Sequence, residues 1–484
     1  MSLSLKQLAG DTIVYGASTM VGRLLNWLLM PFYIRVIAPE AYGVVVNMYG
    51  IISIFLVIFT YGLETGFFRF ARKENAADVF RTSVVMLFIS SLLLICLSFV
   101  FASSISDFFY DGAHTYAIVL AGIIIGFDAF LSIPFARLRL ENRSYRFGII
   151  KLVSIFLNIG FNLLFFLGLP ALFTLLPADA ALISVYEQGN GVFYILLSNA
   201  LSSVLIFVFF IKDLTSMKGV FSWSLLRPIL IYSWPVLIVG ITGMITQNSD
   251  KILMPKLVEK DGFSELAIYG ANFKIGVLMS LFTQSFRFAF EPYFFNNREK
   301  GVKSYALIME YFIFFALVIF LGIVVFQDII NILLVEEYIR GNRIIPYVLL
   351  AQLFYGIYFN LSLWYKLTDK TIFGAIFGVV GMVLTVILNF ILIPKIGMLG
   401  GAFSLLAGYG LMMIMSFVVG QKYYPIPYSL KRIGTFFLWA FVLYLMNQLI
   451  WFDQAFFRYL FKVFIFTSFP FYFLYIKKVF KRVE

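Results

Sequence analysis

Of the ionisable residues inside long apolar runs, where an unpaired charge is costly, three could do chemistry: Arg23, Asp128 and Lys274. Arg23 lies twelve residues past Asp11, about 18 Å into its run if that run is helical. A guanidinium at such depth can grip a pyrophosphate through its planar fork, or form a structural pair with a buried carboxylate. Asp128 lies thirteen residues past Thr115, about 20 Å in. Two roles are open to it: pairing with Arg23, or titrating or holding a coupling cation, H+ or Na+. Lys274 follows Ala271-Asn272-Phe273 with no carboxylate three or four residues away. It either faces a cavity or snorkels to an interface. A second set sits near the ends of runs: Glu64, Asp250, Arg287 and Glu291. Arg287 and Glu291 are spaced for a local helical pair, and these four are candidates for interfacial ion pairs or a gate.

Other chemistry is excluded. One cysteine, Cys96, permits no internal disulfide or thiolate metal site, and one histidine, His114, permits no His-based cluster. No metal and no resident cofactor are expected. His114 is expected to be solvated in a loop.

The elements that must position these residues follow from composition. The 484 residues are 62% hydrophobic and 13% charged, with mean hydropathy +0.94, against about 45–50% and about 25% in soluble chains. A water-soluble enzyme and a disordered chain are both excluded. A bilayer-crossing helix needs roughly 20 apolar residues. Such runs fall near 11–34, 42–68, 82–101, 115–136, 148–169, 190–211, 227–249, 266–290, 304–326, 345–365, 372–393, 399–419, 433–451 and 457–476. The fold class is therefore an all-α polytopic membrane protein with about 14 transmembrane helices. The first run lacks a small-residue cleavage site and does not read as a removable signal peptide.

With the N-terminus cytoplasmic, 26 of the 37 Lys and Arg fall on inner segments, Lys151 among them, seven outside, Lys251 among them, and four within runs. That bias places both termini in the cytoplasm. It also explains the net charge of +12 without nucleic acid. The longest outer connection, 170–189, holds only Asp179 and Glu187 as charges, too little for a catalytic domain.

The chain repeats itself. Leu29-Met30-Pro31 recurs as Leu253-Met254-Pro255, and Tyr42-Gly43 as Tyr269-Gly270. The Tyr-Gly offset of 227 aligns Ser53 with Ser280, Glu64 with Glu291 and Asn162 with Asn389, and the Leu-Met-Pro offset is 224. Arg23 aligns with Gln247 and Lys274 with Asn47, so the halves differ in charge. Six runs separate the matches, which keeps both halves in one orientation. The expected plan is two parallel six-helix lobes, 1–225 and 226–421, with two additional helices over 422–484. Gly122-x-x-x-Gly126 and Gly374-x-x-x-Gly378 are expected to serve helix packing. Trp234-Pro235 is a candidate bend or static kink.

At this point the chain resembles the polysaccharide or oligosaccharide-lipid flippase family, within the superfamily that also holds multidrug and toxic-compound extrusion exporters and lipid II flippases. The resemblance rests on Gly16-Ala17-Ser18 through Gly22-Arg23 to Met30-Pro31, then Pro39-Glu40-Ala41-Tyr42-Gly43. It extends to Gly62-Leu63-Glu64-Thr65-Gly66, Asn248-Ser249-Asp250-Lys251, and Asn389 with Ile393-Pro394-Lys395-Ile396-Gly397. It implies a non-enzymatic transporter of a bacterial inner membrane that works by alternating access. The implied cargo is a polyprenyl-pyrophosphate-linked oligosaccharide, flipped from the inner to the outer leaflet for surface polysaccharide. Partners would be that lipid-linked oligosaccharide, membrane lipids and other polysaccharide-assembly membrane proteins. A multidrug exporter and a lipid II flippase are the alternatives on the same fold.

Overall fold

A computed structural model describes residues 5–175, 186, 190–216, 218–296, 302–450 and 452–481. They form helices and no strand. In chain order these are α1 (Leu5–Val36), α2 (Pro39–Thr60), α3 (Leu63–Phe70), α4 (Ala76–Tyr110), α5 (Thr115–Leu140), α6 (Ser144–Leu163) and α7 (Gly191–Val208). There follow α8 (Trp223–Leu257), α9 (Gly262–Asn296), α10 (Val302–Val325), α11 (Ile345–Leu361), α12 (Ile372–Ile396), α13 (Met398–Tyr423), α14 (Leu430–Leu449) and α15 (Ala455–Lys481). Short helical turns join several of them. Among the described residues, twelve helices are long and apolar enough to cross a membrane. Helices also cover the first and thirteenth expected runs, but α1 and α14 are not among those twelve. In α14, Lys431, Arg432, Asn447 and Gln448 dilute a twenty-residue helix.

Local chemistry sets the boundaries. Proline opens α2, where a missing N–H costs nothing. Tyr61 and Gly62 then turn left-handed in succession, φ 53° and 62°, and separate α2 from α3. Asn75 caps α4 by accepting from the Ala77 N–H at 3.0 Å, and Asn190 caps α7 from Phe193 at 2.9 Å. Asp111 and Gly112, both left-handed, end α4. The chain beyond α6 continues helical through Leu164–Gly168, within the fifth expected run, and Leu169–Phe173, which enters the outer connection expected from residue 170. Asp179 and Glu187 of that connection lie outside the described residues. Pro235 does not break α8, which runs unbroken from Trp223 to Leu257.

The chain divides into two compact units, Met1–Ala267 and Ile268–Glu484. In the first, α4 packs on α5, with Gly122 set against Ser98 and Gly126 against Ile95. A side chain at either glycine would collide with α4, so this spacing serves close helix approach. Phe67, Phe80, Ile133, Phe135, Phe147 and Phe210 share one apolar cluster across α3 to α7 and beyond. In the second unit α12 and α13 pack closely, and α11 packs on α13. Gly374 there meets the ring of Tyr365. Helices α14 and α15 pack on α10. Two ion pairs tie this hairpin to α10 and the turn after it: Arg432 to Glu310 at 3.7 Å, and Lys462 to Asp328 at 2.7 Å.

Candidate functional site

Asp128 is half-buried on α5, facing α6 and α7. The Ser203 hydroxyl of α7 and the Lys151 ammonium of α6 both act on its carboxylate. The Tyr49 ring of α2 feels the same carboxylate, and its hydroxyl accepts from Asn199 of α7 at 3.1 Å. Four helices thus bring polar groups to one point in the first unit. Lys151 stacks over Phe135 at 4.1 Å and also interacts with Glu64 and Arg139. Glu64 pairs with Arg139 of α5 at 2.5 Å, while Arg69 of its own helix stacks on Tyr232 at 4.1 Å. Arg139 packs against the Phe68 and Phe147 rings.

The result is a file of alternating charge, Asp128, Lys151, Glu64 and Arg139. Two acids and two bases balance its charge, and the Glu64–Arg139 end is partly exposed. Any event that neutralises Asp128 leaves the Lys151 charge less compensated. Sequence reasoning placed Lys151 among the inner connections. The available signal was its position seven residues beyond Ser144, two turns inside α6.

Asp250 and Lys251 occupy a second buried polar site, not an exposed helix end. Asp250 is 1% exposed and Lys251 8%. The Lys251 ammonium donates to Asp250 Oδ1 at 3.2 Å and to the Gln247 carbonyl at 2.6 Å. The Lys251 N–H donates to the same carboxylate oxygen at 2.8 Å. Tyr110 donates its hydroxyl proton to Asn47 Oδ1 at 2.5 Å, while Asn47 donates to the Lys251 carbonyl at 2.8 Å. Saturation of this kind marks a structural knot between α2, α4 and α8.

Arg23 is an exposed residue of α1 in the first unit. Lys274 is half-buried on α9 in the second unit. Two residues earlier, fully buried Asn272 donates to the carbonyls of Ile268 at 2.9 Å and Tyr338 at 2.8 Å. The Arg287 guanidinium lies 4.2 Å from the centre of the Phe359 ring, and the Lys366 ammonium 4.7 Å from the same centre. Arg287 therefore has an aromatic partner on α11; the side chain of Glu291 lies outside the described residues.

His114, expected to be solvated, is half-buried. Its Nδ1 lies 2.9 Å from the Tyr116 hydroxyl, which donates to Asn190 at 2.7 Å. Burial pushes the His114 imidazole below its ordinary value, and the Glu40 carboxylate opposes that shift. No group of three or more metal-ligating side chains occurs among the described residues.

This arrangement is that of an all-α, multi-pass membrane protein with buried ion pairs among its described residues. The family described as polysaccharide biosynthesis protein matches residues 8–298, more than half of the chain, and the chain belongs to that family. Its fold is that of a lipid II flippase, MurJ, in an inward closed conformation (16% identity, 95% of this chain and 98% of that chain covered, TM-score 0.72). It is also shared with an inward-facing multidrug resistance MATE family transporter of the MOP superfamily (16% identity, 88% and 98% covered, TM-score 0.63). A MATE structure in a straight conformation matches with 17% identity, 89% and 96% coverage and a TM-score of 0.59. No curated protein matches this chain.

Proposed function

We propose that this protein flips polyprenyl-pyrophosphate-linked oligosaccharide units from the inner to the outer leaflet of a bacterial inner membrane, with both termini cytoplasmic. The observation that carries the reading is membership of a polysaccharide biosynthesis family by a chain with twelve membrane-length apolar helices among its described residues. The cargo would be a lipid-linked sugar, its tail remaining in lipid while its head crosses through protein. Membrane lipids and other polysaccharide-assembly membrane proteins would be its neighbours.

The physical difficulty is the pyrophosphate. Its charges resist an apolar core about 30 Å thick, so cations along the route must replace water. Arg23, absent from the repeat-related position, is assigned that grip, with Lys274 as a second contact. Two like-oriented lobes, 1–225 and 226–421, would alternate access around them, with 422–484 added outside the repeat. Asp128 is assigned the coupling step. When it takes a proton or a cation, Lys151 loses part of its counter-charge and becomes the stronger attractor for an anionic head. Glu64, Arg287 and Glu291 stay assigned to a gate at the helix ends, and Asp250 to the buried pair with Lys251.

A lipid II flippase is the second reading, favoured by the fold match over 95% of the chain. Its cargo shares the polyprenyl pyrophosphate and differs in the sugars. A cation-coupled multidrug exporter is the third, favoured by the MATE matches and by the interior carboxylate Asp128.

Purified protein in liposomes, given fluorescent polyprenyl-pyrophosphate oligosaccharide in one leaflet, tests the proposal. Transfer should appear as new accessibility to an impermeant quencher. Absence of transfer, with drug efflux by the same vesicles, would overturn it in favour of the exporter. Transfer of lipid II alone would favour the second reading.

A further inference from the structure

The second unit contains a cavity of about 360 Å³ that the transport reading does not use. Helices α10, α11, α13 and α14 wall it, through residues that include Met309, Phe354, Met413, Phe417 and Phe437. Apart from the Tyr428 hydroxyl, every lining side chain is apolar. Its volume falls within the roughly 300–1,000 Å³ of ligand sites. A sugar or nucleotide would find no hydrogen-bonding ring of partners there, and its buried polar groups would go unsatisfied. A hydrocarbon chain meets no such penalty. Ile414 and Leu430 line the cavity and are themselves 54% and 58% exposed, so a chain can enter from outside the helices.

One end of the cavity has a distinct electrostatic character. The facing ends of α13 and α14 carry Lys422, Lys431 and Arg432, and residues 371–450 contain no Asp or Glu. Lys422 and Lys431 are exposed. Lys431 directly follows the lining residue Leu430. Arg432 is held by Glu310, the residue after lining Met309. Topological bias explains cations at a helix end. It does not explain an apolar cavity opening beside them. Basic sites between transmembrane helices recognise anionic lipid heads.

We infer that this cavity holds one acyl chain of an anionic phospholipid from the leaflet facing Lys422 and Lys431, with its phosphate against those lysines. The connection itself argues for a resident lipid rather than the tail of a moving cargo. Tyr428 lines the cavity and packs on a cluster of Tyr305, Ala306, Leu363 and Ile426. That cluster anchors the connection to α10 and to the turn after α11. A lipid whose head is held at this end cannot carry it across the membrane without leaving the cavity. The inference is independent of the cargo's identity.

Full-length protein in phosphatidylcholine nanodiscs is exposed to phosphatidylglycerol bearing a photoactivatable group near the end of one acyl chain. Crosslinks should map to the peptides containing Phe354–Leu361 and Met413–Phe417. Ile357→Trp should abolish them by filling the cavity. Lys422→Gln and Lys431→Gln, which leave the cavity intact, should each weaken labelling by about fivefold. These two variants decide the matter if Ile357→Trp fails to fold. Equal labelling by a phosphatidylcholine probe of the same tail would overturn the inference, as would indifference to both lysine changes. So would preferential labelling by a photoactivatable polyprenyl phosphate that phosphatidylglycerol cannot displace, which would make the cavity a cargo site.

Discussion

Asn47 of α2 and Lys251 of α8 are bound through the Asn47 amide and the Lys251 backbone carbonyl at 2.8 Å, two residues that are 204 apart in sequence. The Lys251 ammonium is at the same time engaged by Asp250 and Gln247. Removing one member strands the other charge in a buried place. Asp250→Ala should therefore destabilise the protein by about 3–5 kcal/mol, whereas replacing Asp250 and Lys251 together by apolar residues of similar volume should be close to neutral. Thermal unfolding in one detergent checks both. A mild effect of the single change would mean that the pair is hydrated.

The charge file of the first unit gives a functional prediction. Asp128→Asn removes the acid facing Lys151 and should abolish any dependence of transport on a proton or sodium gradient, while the protein still folds. Lys151→Met should slow transfer of a pyrophosphate-linked cargo by at least about tenfold, the loss of one charge-assisted contact. Transport assays run with and without an imposed gradient separate the two. Gradient dependence retained in Asp128→Asn would remove the residue from the coupling step.

His114 is the single histidine of the chain, so its titration can be read without assignment. Burial depresses the imidazole and the Glu40 carboxylate partly restores it. The midpoint should lie below about 6.5, the ordinary value, and fall further in Glu40→Gln. The unfolded chain then binds the proton more readily, so stability is complete above the unfolded value and declines as pH falls below it. A midpoint above the ordinary value by nuclear magnetic resonance would contradict the packing of the ring.

Asp328 behaves oppositely. Burial alone would raise its carboxyl, but hydrogen bonds from Lys462 and Tyr459 outweigh burial and hold it below the ordinary carboxylate range. The stabilisation is present above about pH 3.9 and is lost as pH falls through the lowered value. Asp328→Asn should increase hydrogen exchange in α15 near neutral pH and leave the first unit unchanged. Protection of α15 equal to that of the parent protein would deny the pair its anchoring role.

Gly400 and Gly243 form a matched test of packing. A Cβ on Gly400 would lie 2.5 Å from the backbone carbon of Leu392, whereas a Cβ on Gly243 meets nothing within 4 Å. Gly400→Ala should destabilise by about 1–3 kcal/mol through overpacking. Gly243→Ala should be neutral or stabilise by up to about 1 kcal/mol through helix propensity. Melting temperatures of the two variants read the difference directly.

Much of this was legible before any coordinates. Apolar length finds bilayer helices because lipid satisfies no backbone groups. The spacing of Gly122 and Gly126 also carried its meaning, since small residues one turn apart must admit another helix. Partner choice was not legible. Lys151 acts on Asp128 because of the rotational phases of α5 and α6, which periodicity in nearly all-apolar helices does not fix. Glu64 finds Arg139 on another helix for the same reason. Lys251 reads as a connection residue because charge suggests solvent, yet α8 runs on to Leu257 and draws it inside. The roles of Arg23 and Lys274 are still set by residue type and depth.

The anchoring of α14 and α15 bears on how this chain can be shortened. Glu310 is only 9% exposed, and its counter-ion Arg432 is supplied by a helix outside the expected repeat. A protein cut back to the twelve-helix plan would keep the buried acid and lose the base that neutralises it. The last hairpin is thus an internal electrolyte for α10 as much as an addition to it, and deleting it calls for removing the Glu310 charge as well.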